Sequence, residues 1–404
     1  MKVTQIAQVL NSTIMKEVEG FEGVVAEDLS NIVDIGRKVE EYNFGQNGVN
    51  KFVETLIDRV GRVKYVDRTY APQAPNILKD SFEYGSILMK VRAEVPDFQE
   101  NTSWKLGDLK GKGINEASEL DPFVISAPTA IQKVYNSKIT YEAPITISEV
   151  MLKQAFTGAA EMGRFIAMIE NRISLKMTLS TDALIMRTIN NLIGLKLSSG
   201  KNVVNLLAEY NNAAGTSLTA AQALRNTEFL RYATKTIALY KDYLKTASVK
   251  YNNSGTYVTF TPSENLKFVA LSEFAKDMET YLYADTYHNE FVKMEGYSTV
   301  PYWQSQGSGN DDFAVRSAIK VSVDDESGTP KSVDQAGIVA VMFDDEAAAV
   351  VNENYRVTSQ YNPRGEYTNY FYKWDAGYMN DTYENCIVFV VGSYTPPTPP
   401  SDGE

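Results

Sequence analysis

The longest periodic stretch of the chain runs from Thr146 to Leu197. Met162, Phe165, Ile166, Ile169, Ile173 and Met177 recur at three- and four-residue steps, and Leu184, Ile185, Ile189 and Leu192 continue the stripe after a drift. Between Ala159 and Leu192 only Gly163 interrupts, so the pattern predicts one helix of roughly 34 residues, about 50 Å long. Gly194 is expected to close it. A shorter helix is expected to start at Ser148, whose hydroxyl suits an N-cap, with Glu149 in its first turn and a break at Gly158. A helix of this length reads as a spine crossing a domain. The same stripe also fits an ordinary buried core helix.

Upstream, Thr4 to Leu10 and Asn47 to Val60 predict short amphipathic helices in a polar, acidic N-terminal arm. Val49, Phe52, Val53, Leu56 and Val60 form the apolar face of the second, and Gly61 its stop. From Gly85 the period becomes two. Ile87, Met89 and Val91 alternate with Leu88, Lys90 and Arg92, as in a half-buried strand. A second strand is expected at about Ala130 to Tyr141. The chain between, Pro96 to Pro128, has no clear period and is far longer than a hairpin loop. It nevertheless carries Trp104, Leu106, Leu109 and Phe123, which suits an extended arm reaching another molecule.

Downstream of the long helix the pattern is mixed. Val203 to Leu207 and Tyr257 to Phe260 predict strands, and Asn226 caps a helix through Phe229, Leu230, Ala233, Ile237 and Tyr240. Phe268 to Leu271 predicts a buried strand leading into a helix through Phe274 and Met278. Gly307 to Asp312 marks a loop. Ile338 to Phe343 predicts a fully apolar strand. Asp344-Asp345-Glu346 is expected to open a short Ala-rich helix. Tyr355 to Tyr361, the turn Asn362-Pro363-Arg364-Gly365, and Glu366 to Lys373 predict a hairpin, and Glu384 to Val391 a last buried strand. Thr395 to Glu404 is Pro-rich and acidic, as expected of a loose tail.

Composition narrows the function. Among 404 residues, 39 Lys+Arg face 51 Asp+Glu, a net charge of −12. That argues against tight general binding of nucleic acid, which needs clustered cations. Cys386 is the single cysteine, so no disulfide can form within the chain; its apolar neighbours predict a buried, reduced thiol. No apolar run approaches the ~20 residues of a membrane span, and Met1 to Leu10 lacks the apolar core of a signal peptide. The 25 tyrosines suit strands and large contact surfaces.

Catalytic patterns are poor. The one histidine, His288, excludes a multi-histidine metal site, and no Gly-x-Ser-x-Gly elbow occurs. Gly107 to Gly113 resembles a phosphate loop only in part. It is one residue short, and Gly113 follows Lys112 where Ser or Thr belongs, so a cationic loop tip explains it better. Asp324-Asp325-Glu326 and Asp344-Asp345-Glu346 lack calcium-loop spacing. No cofactor and no enzymatic activity are expected.

The order of parts, together with three local segments, resembles the major capsid protein of tailed bacteriophages. The segments are Asn50 to Gly61, Tyr135 through Ile147 into Ser148, and the pair Ala336 to Val341 with Tyr361 to Asn369. They are similar to capsid proteins from small short-tailed phages of Gram-positive bacteria.

The resemblance implies an α+β, Hong-Kong-97-like fold. Its parts would be an N-terminal arm (1–61), peripheral-domain strands (62–147) with an extended E-loop at about 96–128, and a spine helix (148–198). An axial domain (199–352), closing peripheral strands (353–393) and a tail (394–404) would follow. It implies hexamers and pentamers closing into an icosahedral shell around double-stranded DNA. The expected partners are further copies of the chain, a separate scaffolding protein and a portal protein, with no membrane. The shell would be assembled in the bacterial host cytoplasm and end in the virion. Trp104, Leu106, Leu109, Phe123, Phe52 and Leu56 are the candidate assembly-interface residues. No covalent crosslink and no appended immunoglobulin-like domain are expected. An encapsulin-like compartment shell and a carbohydrate-active or carbohydrate-binding protein stay open as alternatives.

Overall fold

The computed structural model describes residues 7, 11, 25–26, 28, 30–31, 33–34, 74–79, 88–93, 130–135, 137–148, 159–255, 257–282, 297–304, 316–324 and 328–394. They fall into two compact units. The first gathers Met1–Glu83, Ser137–Thr188 and Ala349–Tyr378; the second gathers Tyr84–Asn136, Ile189–Ala348 and Met379–Glu404.

The first unit is built on a three-stranded antiparallel sheet, in the order β10 (Ala348–Asn362), β11 (Tyr367–Asn380), β3 (Lys138–Ser148). Strand β3 alternates strictly: Ala143, Ile145 and Ile147 are buried, while Glu142, Pro144 and Thr146 are exposed. In register with them, Thr368, Tyr370, Tyr372 and Trp374 of β11 turn to the same buried face. Tyr141 stacks on Trp374 at 5.4 Å. The expected hairpin is present and longer than predicted. Asn362 Oδ1 accepts from the backbone N–H groups of Arg364 and Gly365, which fixes its turn.

Helix α1 (Ala159–Ser199) is continuous for 41 residues, about 60 Å. Residues 159–188 belong to the first unit and 189–199 to the second. In the first unit Phe165, Ile169, Ile173, Leu184 and Ile185 are its buried stripe. The side chain of Asn352 on β10 donates to Thr181 Oγ1 at 3.1 Å, tying sheet to helix.

The second unit is a mixed five-stranded sheet in the order β4-β12-β9-β5-β6, made of Val203–Asn205, Cys386–Val390, Ile338–Asp344, Leu266–Leu271 and Ser298–Val300. Its middle strands β12 and β9 are buried along their whole length, which is why they read as unbroken apolar runs. Helices α2 (Leu206–Ala214), α3 (Ala220–Ala223), α4 (Thr227–Lys245) and α5 (Ser272–Asp277) complete the unit, with a π-turn at Met278–Leu282. Tyr240 of α4 meets Phe389 of β12 edge-on at 5.7 Å. The fully buried Trp303 donates Nε1–H to Ile338 O, and its own carbonyl accepts from Asn190 of α1. A two-stranded hairpin, β7 (Ile319–Asp324) and β8 (Pro330–Gln335), and a two-stranded ribbon, β1 (Leu88–Ala93) and β2 (Ala130–Tyr135), belong to the same unit.

Several expectations need correction. Gly194 does not end α1, which continues to Ser199. Gly200, with φ +66°, takes the left-handed position that stops it. The strand expected at Ala130 to Tyr141 is two strands: β2 pairs with β1, and β3 pairs with β11. Val203 to Leu207 is strand only to Asn205, whose side chain caps α2 by accepting from Ala208 N–H. Tyr257 to Phe260 is held by a single bridge, Ser248 to Thr259. No helix follows Asp344. The Asp344 carbonyl and carboxylate close a turn with Ala347 and Glu346, and the alanines enter β10, buried. Ser148 is the last residue of β3. The expected helices at residues 4–10, 47–60 and 149–157, the loops at 96–128 and 307–312, His288 and the tail at 395–404 lie outside the described residues in whole or all but one position.

Candidate functional site

Strands β1 and β2 form an antiparallel ribbon held by the rest of the second unit. Six registered pairs, Leu88 with Tyr135 through Ala93 with Ala130, join the strands. The register puts Lys90, Arg92, Lys133 and Tyr135 on one face, and Val91 and Val134 on the other. The sequence pattern has the right period here and the opposite sense. Val91 is 64% and Val134 51% exposed, whereas Lys90 and Arg92 are half-buried.

The cationic face lies on the turn between β11 and β12. Arg92 Nη2 reaches Asp381 Oδ2 at 2.9 Å and also pairs with Glu384, while Nη1 donates to Tyr383 O at 3.1 Å. Lys90 Nζ lies 3.2 Å from Glu346 and 3.6 Å from both Asp381 and Glu384, and donates to Glu346 O. Lys133 Nζ lies 3.4 Å from Asp381 Oδ1 and 3.5 Å above the Tyr383 ring. Three cations thus gather on the fully buried Asp381 carboxylate, and two of them, Lys90 and Arg92, also reach Glu384, so the buried charge is paired.

The turn is itself fixed by the rest of the unit. Asp381 N–H donates to Ala347 O, Asn253 N–H donates to Thr382 O, and Asp344 N–H donates to Asn385 O. The buried Lys196 at the end of α1 donates to Asn253 Oδ1 and Thr382 O. Tyr383 stacks on Tyr257. Burial pushes the Asp381 carboxyl up, but Arg92, Lys133, Lys90 and the Tyr383 N–H outweigh it and hold the group below the ordinary carboxylate range. For Glu384 burial wins over Arg92 and Lys90, and its carboxyl is raised. Burial and then the Asp381 charge push the Tyr135 phenol up.

A second charged knot sits in the first unit. Arg356 forks onto both oxygens of Asp375 at 3.0 and 3.2 Å, and Thr140 Oγ1 donates to Asp375 Oδ1 at 2.7 Å. The Arg356 hydrogen bonds lead in holding this carboxyl well below its usual range. Both knots link strands and loops; their cations pair with acids and carbonyls. Among the described residues, no group of three or more His, Cys, Asp or Glu could hold a metal ion, and no helix is long and apolar enough to cross a membrane.

None of the six side chains picked from sequence as interface residues can be placed: Trp104, Leu106, Leu109, Phe123, Phe52 and Leu56 all lie outside the described residues. The base of the ribbon was missed. The available signal was three cations at alternate strand positions, to be matched against the carboxylates of 381–384.

The model of the Phi29-like phage major capsid protein family matches residues 11–390. The chain belongs to that family. Solved structures agree on the fold. A chain of the capsid structure of Staphylococcus phage Andhra superposes with a TM-score of 0.51 at 11% identity, covering 81% of this chain and 86% of that one. A chain of the structure of head fiber and inner core protein gp22 of native bacteriophage P68 gives 0.51 at 12% identity, covering 78% and 83%. Comparison with curated proteins finds no match. This is a structural major capsid protein of a bacteriophage, a component of the virion that assembles with copies of itself. The match favours neither the compartment-shell nor the carbohydrate reading.

Proposed function

We propose that this capsid protein has the Hong-Kong-97-like arrangement and forms the hexamers and pentamers of an icosahedral head around double-stranded DNA. The family match over residues 11–390 carries the reading. Helix α1 is then the spine. The 96–128 segment is the E-loop, laid over a neighbouring subunit, and the ribbon β1–β2 is its stem. Residues 1–61 are an arm bracing the shell. Residues 199–352 are the axial domain and the β3–β10–β11 sheet belongs to the peripheral domain; the expectation that all of 353–393 closes the peripheral domain is narrowed, because β12 pairs with β4 and β9 and is assigned with them.

The continuous 41-residue helix and the anchored ribbon support this division. Shell stability comes from several weak contacts per subunit. A scaffolding protein, a portal protein and packaged DNA are the further partners, and assembly takes place in the host cytoplasm. The sequence resemblance supports a small short-tailed phage of a Gram-positive bacterium.

Deleting residues 96–128 tests the E-loop assignment. The ribbon base and both cores stay, so the subunit should fold and fail to form shells. Normal shells from the deletion would refute the assignment.

A further inference from the structure

Among the described residues of the second unit, five large apolar side chains stand exposed between positions 239 and 260: Leu239, Tyr243, Val249, Val258 and Phe260, the last 61% exposed. Their grouping follows from backbone register. Ser248 and Thr259 exchange both backbone hydrogen bonds at 3.0 Å, so Val249 lies across from Val258 and Ala247 across from Phe260. Alternation turns Ser248 and Thr259 inward, where both are half-buried. The outward face of this small ladder is therefore Ala247, Val249, Val258 and Phe260, all apolar and all exposed. Thr261 N–H donates to Leu244 O, which fastens the ladder to the end of α4, where Leu239 and Tyr243 are exposed one turn apart.

A ladder facing water carries polar residues on its outer face. This one carries none; the charged residues next to it in sequence are Lys241, Lys250 and the ion pair of Lys245 with Asp242 at 3.0 Å. We propose that the outer face of the 247–249/258–260 ladder, with Leu239 and Tyr243, is a docking surface for a second copy of this chain in the shell. The inference rests on the capsid reading, under which copies are the partners in contact.

Val258→Asp and Phe260→Asp test the surface. Both side chains already face solvent, so circular dichroism and thermal unfolding of the free subunit should match wild type. The yield of sedimenting particles, from co-expression with a candidate scaffolding protein, should fall about ten-fold or more. Hydrogen exchange on wild type gives a second readout, which also serves if an aspartate variant does not fold. Amides flanking the ladder should exchange more slowly in scaffold-free particles than in the free subunit.

Wild-type particles with an unprotected ladder, or wild-type yields from Phe260→Asp, would overturn the surface and leave the capsid reading standing. Protection seen only while scaffold is present would overturn it in favour of that partner. A wild-type chain that forms no particles overturns the capsid reading, and the proposed occupant with it.

Discussion

A methyl group added at Gly194 would lie 2.5 Å from Cγ2 of Val321. The hairpin strand β7 packs against α1 at this point, and the helix runs on beneath it for five more residues. Gly194 is thus a close-approach glycine inside a helix. Gly194→Ala should gain up to ~1 kcal/mol of helix propensity and lose ~1–3 kcal/mol to overpacking. Thermal or denaturant unfolding should show a net loss of about 1 kcal/mol. A more stable alanine variant would mean that the strand is not packed here.

Asp381 and Glu384 share the same cations and should respond in opposite ways. Asp381→Asn removes the buried charge that Arg92, Lys90 and Lys133 surround, and should cost about 2–3 kcal/mol. Glu384→Gln removes a carboxylate whose charged form burial disfavours, and should change stability by less than about 1 kcal/mol. Denaturant unfolding of the two variants checks the order; equal losses would contradict it.

Their pH dependence follows from the signs of the two shifts. The folded Asp381 carboxyl is depressed, so its contribution is full above an unfolded value of about 3.9 and is lost as pH falls through the folded one. Asp375 acts in the same sense. The folded Glu384 carboxyl is raised, so its cost at neutral pH is relieved on acidification through that raised value. Stability should hold or rise slightly from pH 7 to about 5 and fall below about 4. Glu384→Gln should remove the rise, and Asp381→Asn should soften the acid fall. Unfolding midpoints across pH measure both.

Cys386 is fully buried in β12, and burial pushes its thiol up to about 11. A thiol reagent should therefore label the native subunit only as fast as it opens. Labelling should accelerate sharply at the denaturant concentrations that unfold the second unit. Rapid labelling of native protein would contradict the placement of β12 in the middle of its sheet.

The elements most legible in the sequence were those whose own pattern decides them. The α1 stripe, the apolar runs of β9 and β12 and the Asn226 cap needed no partner to be read. Errors arose where a neighbour decides. Gly194 carries the same letter as a helix stop, and only the approach of Val321 distinguishes the two. Asp344 and the alanines after it suit a helix start, yet the carbonyl and carboxylate of Asp344 close a turn and the alanines fill a tight strand. In β1 the alternation was plain and its sense was not, because Arg92 faces acids nearly 300 residues away in sequence. The base of the ribbon was only half legible for that reason: the cations at alternate positions are visible in the sequence, but no local pattern records where a distant carboxylate will stand.

The central claim is that copies of this chain close into a shell, and the most direct test is electron microscopy of the full chain co-expressed with a candidate scaffolding protein. Closed particles or ring-shaped capsomers are the predicted result. A well-folded subunit that stays monomeric at high concentration with scaffold present would contradict the account.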